Sequence, residues 1–158
     1  MTETLERLGY EGKLYYNKTT DFGGAGTYEV PVWTDLMECI REVTLDHERS
    51  EHDATTRGSG GFELAAAGLM KVPMNVEGLH LPEDTGYQAL WQAYRDRVKI
   101  ELLELDRPRD EEGAIGLRAT WTILKFSQPQ PKDGLMICSL VIKPARSAHV
   151  PEWWPVET

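Results

Sequence analysis

Residues 115–123 read IGLRATWTI, and their alternation decides the fold class. Ile115, Leu117, Ala119, Trp121 and Ile123 fall on one side of an extended chain, and Arg118, Thr120 and Thr122 on the other. Period two is the mark of a strand with one face on a core. Further along, LMICSLVI (135–142) is apolar on both sides and predicts a central, covered strand. The link SQPQPKDG (127–134) is rich in turn residues, as is DRPRDEEGAIG (106–116) upstream. VKIELLEL (98–105) reads two ways: a strand with Val98, Ile100 and Leu102 on one face, or the end of a helix carrying Leu102 and Leu105.

The helix in question starts near Thr85. TGYQ (85–88) fits a capping box with Thr85 as N-cap and Gln88 at N3, and Leu90, Trp91, Tyr94 and Val98 follow at helical spacing. Before it, KVPMNVEG (71–78) alternates through Val72, Met74 and Val76, a strand with one wet face. Pro73 places that strand at a sheet edge or a bulge. GKLYYN (12–17) reads as a short strand, and KTTDFGGAGTYEVP (18–31) as a long mobile loop. Residues 33–45 are mostly extended, and DHERSEHDATTRGSGG (46–61) is a polar loop or a projecting hairpin. The C-terminal stretch from about residue 145, including SAHVPEWWPVET, predicts no regular structure. The expectation is one domain over residues 1–158, mainly β (α+β): an antiparallel sandwich or partly closed barrel flanked by one α-helix.

Composition narrows the function classes. Among 158 residues, 26 are acidic and 17 are Lys or Arg, a net charge of −9. Tight binding to a phosphate backbone needs clustered cations, so the balance argues against it. No apolar run approaches the roughly 20 residues that span a bilayer. MTETLERLGY lacks a basic flank and an apolar h-region, so no signal peptide is expected and the chain is expected to stay in the cytoplasm that makes it, unless an assembly carries it out. Cys39 and Cys138 lie in apolar surroundings and read as buried free thiols.

The stretch DATTRGSGGFE (53–63) looks most like chemistry, because glycine-rich loops wrap backbone N–H groups around phosphates. A P-loop requires Lys after its last glycine, and here Phe62 and Glu63 follow. A dinucleotide fingerprint would need a third glycine where Glu63 stands; ELAAAG (63–68) allows a short helix after it, but no βαβ pattern surrounds it. The loop is therefore a solvated one with no cofactor expected. His47 and His52 lie amid Asp46, Glu48, Glu51 and Asp53, but five residues apart they miss the i, i+4 spacing of a zinc helix, and a strand would point them oppositely. Glu101 with Glu104, and Asp110 with Glu111 and Glu112, read as solvated charge. No Ser sits in a nucleophile elbow, and no catalytic residue is expected. Trp153 and Trp154, flanked by prolines, are candidates for a protein interface, unless one folds back on its own domain.

Taken together and in order, GKLYYN, VWTDLMECIREVTL, HDATTRGSGGFE, AGLMKVPMNVEG, DTGYQALWQAY, VKIELLEL, LRATWTILKFSQPQP and LMICSLVIKP resemble the major tail tube proteins of long-tailed bacteriophages, over residues 12–144. Related tubes serve contractile injection and type VI secretion systems. The resemblance implies a sandwich or partly closed barrel with one helix, subunits in six-membered rings, and rings stacked around a DNA-conducting lumen. It favours the strand reading of residues 98–105. It implies a virion tail protein made in the host bacterial cytoplasm, not an enzyme. Its partners are itself and tail proteins such as the initiator, terminator and tape measure, and DNA passes without specific binding. It places Arg57, Gly58, Gly60, Gly61 and Phe62 at a contact with a neighbouring subunit or ring. Trp153 and Trp154 lie beyond the matched region, so the interface reading of them rests on their chemistry alone. Two readings compete: a monomeric small-molecule-binding β-barrel, and a metal-dependent enzyme using His47 and His52.

Overall fold

A computed structural model describes residues 12–36, 38–110, 112–130, 132 and 134–154. The last residues of the C-terminal stretch, 155–158, and Glu111 lie outside the described residues, as does the N-terminal decapeptide. Among the described residues, ten strands and one α-helix follow in order: β1 Lys13–Asn17, β2 Trp33–Asp35, β3 Ile40–Leu45, β4 Glu48–Asp53, β5 Ala65–Lys71, β6 Met74–Leu79, α1 Thr85–Arg95, β7 Ile100–Leu105, β8 Gly116–Ser127, β9 Ile137–Pro144 and β10 Glu152–Trp154. The main sheet has the order β2-β1-β7-β8-β9-β6-β3, all antiparallel, and β10 lies beside β8. β4 and β5 form a separate two-stranded ribbon.

The sheet curls. β2 and β3, its two outermost strands, follow one another along the chain with only Leu36 to Cys39 between them. They are not paired with each other, so the sheet is not closed into a barrel. Gly78 makes the tight passage possible: a Cβ there would lie 2.3 Å from the Cys39 carbonyl oxygen, which accepts from Leu79 N at 2.7 Å. The concave face is filled with side chains. Trp121, Tyr16, Leu14, Leu36, Met74, Leu90, Ile100, Leu102, Leu140 and Ile142 are all buried there. A sheet wrapped around a packed core is what the alternation of Leu117, Ala119, Trp121 and Ile123 predicts, and these four do share that core. The barrel-ligand reading needs an interior cavity where this core stands.

Several local expectations change. Ile115 lies before β8 and is exposed, whereas Arg118, placed on the wet side by pattern, is buried. β9 is central, as predicted, but alternates: Cys138, Leu140 and Ile142 are buried, while Ile137, Ser139 and Val141 are only half covered. β6 lies between β9 and β3, not at an edge, because Pro73 precedes the strand and spares its ladder. The helix begins one residue early: Asp84 is the N-cap, its carboxylate accepting from Tyr87 N at 3.0 Å, and Gln88 donates to the Pro82 carbonyl instead of closing a capping box. Its buried face is Gly86, Tyr87, Ala89, Leu90 and Ala93, with Tyr94 turned outward. The helix ends at Arg95, and residues 100–105 form β7, the strand alternative. ELAAAG forms no helix; Ala65–Lys71 is a strand because β4 supplies it with a ladder partner. The C-terminal stretch is regular where described, since β10 pairs Glu152, Trp153 and Trp154 with Arg118, Leu117 and Gly116.

Both thiols are free and buried, as expected. Burial pushes the Cys39 thiol up to about 12, with the nearby Asp84 carboxylate adding to the effect, and burial likewise raises Cys138.

Glu104 is half-buried on the core side of β7, paired with Leu14 on β1 and Leu117 on β8. Desolvation, and then repulsion from Asp106, lifts its carboxyl to about 7. The folded protein therefore holds this proton more tightly than the unfolded chain does. Its contribution to stability is fully present below the ordinary carboxylate pKa and is lost as pH rises toward 7. Glu104→Gln is expected to raise stability at pH 8 by at most about 3 kcal/mol and to flatten the decline between pH 4.5 and 7. Urea denaturation of both proteins across that range checks it.

Candidate assembly surfaces

Two features stand apart from the packed body. The first is the β4–β5 hairpin. Along β4 only Ser50 is partly covered, and residues 60–66 and 69–71 are exposed throughout. Phe62 is 72% exposed and Leu69 82%, and Leu64 and Met70 are exposed as well. None of its described residues belongs to either core cluster. A two-stranded ribbon that buries no apolar face is marginal by itself. The tip is nevertheless shaped. Thr55 Oγ1 accepts from Leu64 N at 2.8 Å, Thr55 N donates to Asp53 Oδ1 at 2.9 Å, and Gly60 and Gly61 turn the chain with φ of 66° and 87°. The hydrogen bond from Thr55 holds the Asp53 carboxyl below the ordinary range. Arg57 and Gly58 lie in a 3-10 turn at this tip, so five of the seven predicted interface residues come together at one exposed point.

Trp153 and Trp154 are elsewhere. Trp154 folds back onto a second, smaller core with Tyr15, Leu103, Leu105, Ala114 and Trp33. Trp153 is 53% exposed and lies 5.5 Å from the His47 ring, at the base of the hairpin. The six residues of β4, at about 3.4 Å rise each, separate that base from the tip. One tryptophan is thus structural and the other remains on the surface. His52 pairs with Ala66 out on the ribbon, so the two histidines do not converge. Among the described residues no group of three His, Cys, Asp or Glu side chains is placed to hold a metal.

The second feature is a charged cluster that pattern reading missed. Arg118 is 8% exposed, with its guanidinium 4.0 Å from the Tyr28 ring centroid and 5.0 Å from that of Trp33. It donates to Glu101 Oε1 and, at 2.7 Å, to the Tyr28 carbonyl. Asn17, fully buried, donates to Glu101 Oε2 at 2.9 Å and to the Thr27 carbonyl at 3.0 Å, and accepts from Val32 N. Tyr28 donates to Glu152, and its ring stacks on His149 at 3.4 Å. Burial first, then the bond to Glu152, pushes the Tyr28 phenol up to about 12. The loop of residues 18–32 and the C-terminal strand are therefore fastened to the sheet at one point. The available signal was the register: Arg118 faces Leu103, which puts Glu101 diagonally across the strand pair.

At the level of sequence, no family model and no curated protein matches the chain. Solved structures do. A chain from the tail of an empty gene transfer agent particle, refined with C6 symmetry, superposes with a TM-score of 0.69 at 13% identity, covering 90% of this chain and 96% of that one. This is a tail tube fold. A chain of the SPP1 tail tube matches at 0.62 and 14% identity, over 88% of this chain and 76% of that one. A chain of the anti-feeding prophage baseplate matches at 0.58 and 9% identity, over 100% and 99%. The tail tube fold thus extends across both the sheet and the helix described above.

Proposed function

We propose that this chain is the repeating subunit of a tail tube, assembling into rings, six-membered by the symmetry of its structural neighbour, that stack around a lumen. The observation that carries the reading is a hairpin that exposes Phe62, Leu64, Leu69 and Met70 on a body with that fold. A monomer gains nothing from such an arm; a neighbouring copy that covers it does. The curled sheet also ends in β2 and β3, whose outer margins offer ladder groups to adjacent copies. Head-to-tail contacts of this kind are heterologous and close into rings when the rotation closes.

The role is structural and non-catalytic, in one domain. Partners are further copies and the proteins that start, end and measure the tail; the location is the virion tail, after synthesis in a bacterial cytoplasm. With a net charge of −9, a lumen wall carrying carboxylates repels phosphate, so DNA slides without adsorbing. Arg57 at the tip is a cation suited to a carboxylate on the next subunit.

Negative-stain microscopy of concentrated protein tests the reading. Rings or tubes of uniform width are expected, and Arg57→Glu is expected to shorten or abolish the tubes. A protein that remains monomeric with and without a tail initiator complex counts against the proposal.

A further inference from the structure

A cleft of about 420 Å³ opens beside α1, lined by His80, Tyr87, Gln88, Trp91, Gln92 and Arg95. It has the make-up of a small-molecule site, an aromatic wall with a few placed polar groups. Trp91 is half-buried and packs edge-on to Phe126 at 5.2 Å, which steadies the indole. The polar groups are steadied too. Gln88 Nε2 donates to the Pro82 carbonyl at 2.9 Å, and Gln92 Nε2 to the Asp21 carbonyl at 2.6 Å. A carbonyl only accepts, so these bonds fix which end of each amide is nitrogen and leave each Oε1 as an acceptor. Gln88 and Gln92 are one helical turn apart, with Trp91 beside them. The Tyr87 hydroxyl accepts from Gln128 Nε2 at 2.8 Å, so its single proton goes to His80 Nδ1, 2.7 Å away. With Nδ1 accepting, the neutral imidazole carries its hydrogen on Nε2, where it is a donor.

Formal charge at the cleft is cancelled. Arg95 forks onto the Asp96 carboxylate, Nε to Oδ1 at 3.0 Å and a terminal nitrogen to Oδ2 at 3.1 Å. Among the described residues, no Asp or Glu lines the cleft.

We infer that the cleft binds a neutral saccharide, whose ring packs on Trp91 while its hydroxyls donate to Gln88 Oε1 and Gln92 Oε1 and accept from His80 Nε2. The inference concerns a single chain and holds whether or not copies assemble. Each alternative ligand class meets a mismatch. A phosphate or carboxylate finds the guanidinium already taken, and an ammonium finds no carboxylate. A purely apolar ligand strips water from two amide oxygens and an imidazole N–H and returns no hydrogen bond. A sugar hydroxyl both donates and accepts, so it satisfies either kind of group. The carbon-bound hydrogens of a sugar ring carry slight positive charge, which the negative face of an indole attracts.

Saturation-transfer NMR on the full chain tests it, in whichever assembly state the protein adopts. The probes are the methyl glycosides of glucose, galactose, mannose and N-acetylglucosamine, with cyclohexanol as a ring that has a single hydroxyl. At least one glycoside is expected to bind with a Kd of about 1 mM, and cyclohexanol at least tenfold more weakly. Gln92→Leu keeps the side-chain bulk and removes the acceptor, and is expected to weaken the glycoside about tenfold while leaving cyclohexanol unchanged. Gln88→Leu, at an exposed position, is a second variant with the same expectation. Loss of glycoside binding with cyclohexanol retained is a result that damage to the fold does not produce. Silence from all four glycosides overturns the inference. So does cyclohexanol binding as tightly as the sugars, or glycoside binding that neither glutamine variant weakens, since each leaves only an apolar recess.

Discussion

Arg118→Met is expected to destabilise the protein by about 3–5 kcal/mol, the cost of leaving a buried charge without its partner. Methionine preserves most of the reach between the Tyr28 and Trp33 rings, so the packing loss is small and the electrostatic loss dominates. What remains is Glu101, with an exposure of about a tenth and its Oε1 deprived of the guanidinium. Asn17 still donates to Oε2, which softens the penalty without removing it. Adding Glu101→Gln removes the stranded charge, and the double variant is expected to regain a large share of the lost stability. Urea denaturation of the four proteins closes the cycle. A local readout accompanies it: the Tyr28 carbonyl loses its donor, so residues 18–32 and 149–154 are expected to gain hydrogen exchange together. A loss below 1 kcal/mol would mean that the cluster is held by its rings and backbone bonds alone.

This cluster marks where sequence reading reached its limit. Alternation located β8 and its core face because burial of Leu117, Ala119, Trp121 and Ile123 is a property of one strand. The burial of Arg118 belongs to three separate segments meeting on the opposite face, and no local period encodes that. The same reason explains Trp154. An isolated EWW between prolines looks irregular until β8, twelve residues long, is seen to extend past β9 and offer its free margin at Gly116–Arg118. The N-cap was displaced by one residue because Asp84 and Thr85 are both competent caps and the choice is made by which oxygen reaches Tyr87 N. The strand at 65–71 was hidden for a different reason. Three alanines and a glycine carry almost no strand preference, and only the ladder with β4 fixes their conformation. By contrast, the polar, glycine-turned composition of residues 46–61 allowed either a loop or a projecting hairpin, the structure has the hairpin, and five of the interface candidates fall at its tip.

Excising residues 49–70 and joining Glu48 to Lys71 through Asn-Gly is expected to leave a folded monomer and abolish tubes. Glu48 and Lys71 are cross-strand partners, so a two-residue type I′ turn closes the gap without straining β3 or β6. The hairpin base is already fixed below the cut, since Asp46 N donates to the Pro73 carbonyl at 3.1 Å. Among the described residues, none of those removed contributes to either core, so the melting temperature is expected to move by only a few degrees, and a shorter connection favours the folded state slightly. The His47–Trp153 contact stays in place, which separates the effect of the arm from that of the exposed tryptophan. Assembly responds differently. The excision takes away Phe62, Leu64, Leu69 and Met70 in every subunit, and under the proposed ring assembly a loss repeated around each ring multiplies across the stack. If the wild type forms the proposed tubes, sedimentation followed by microscopy is expected to find the excised protein in the supernatant at concentrations where the wild type pellets. Tubes of normal length from the excised protein would show that the sheet margins β2 and β3 suffice for stacking, and the arm would then need another explanation for its exposed side chains.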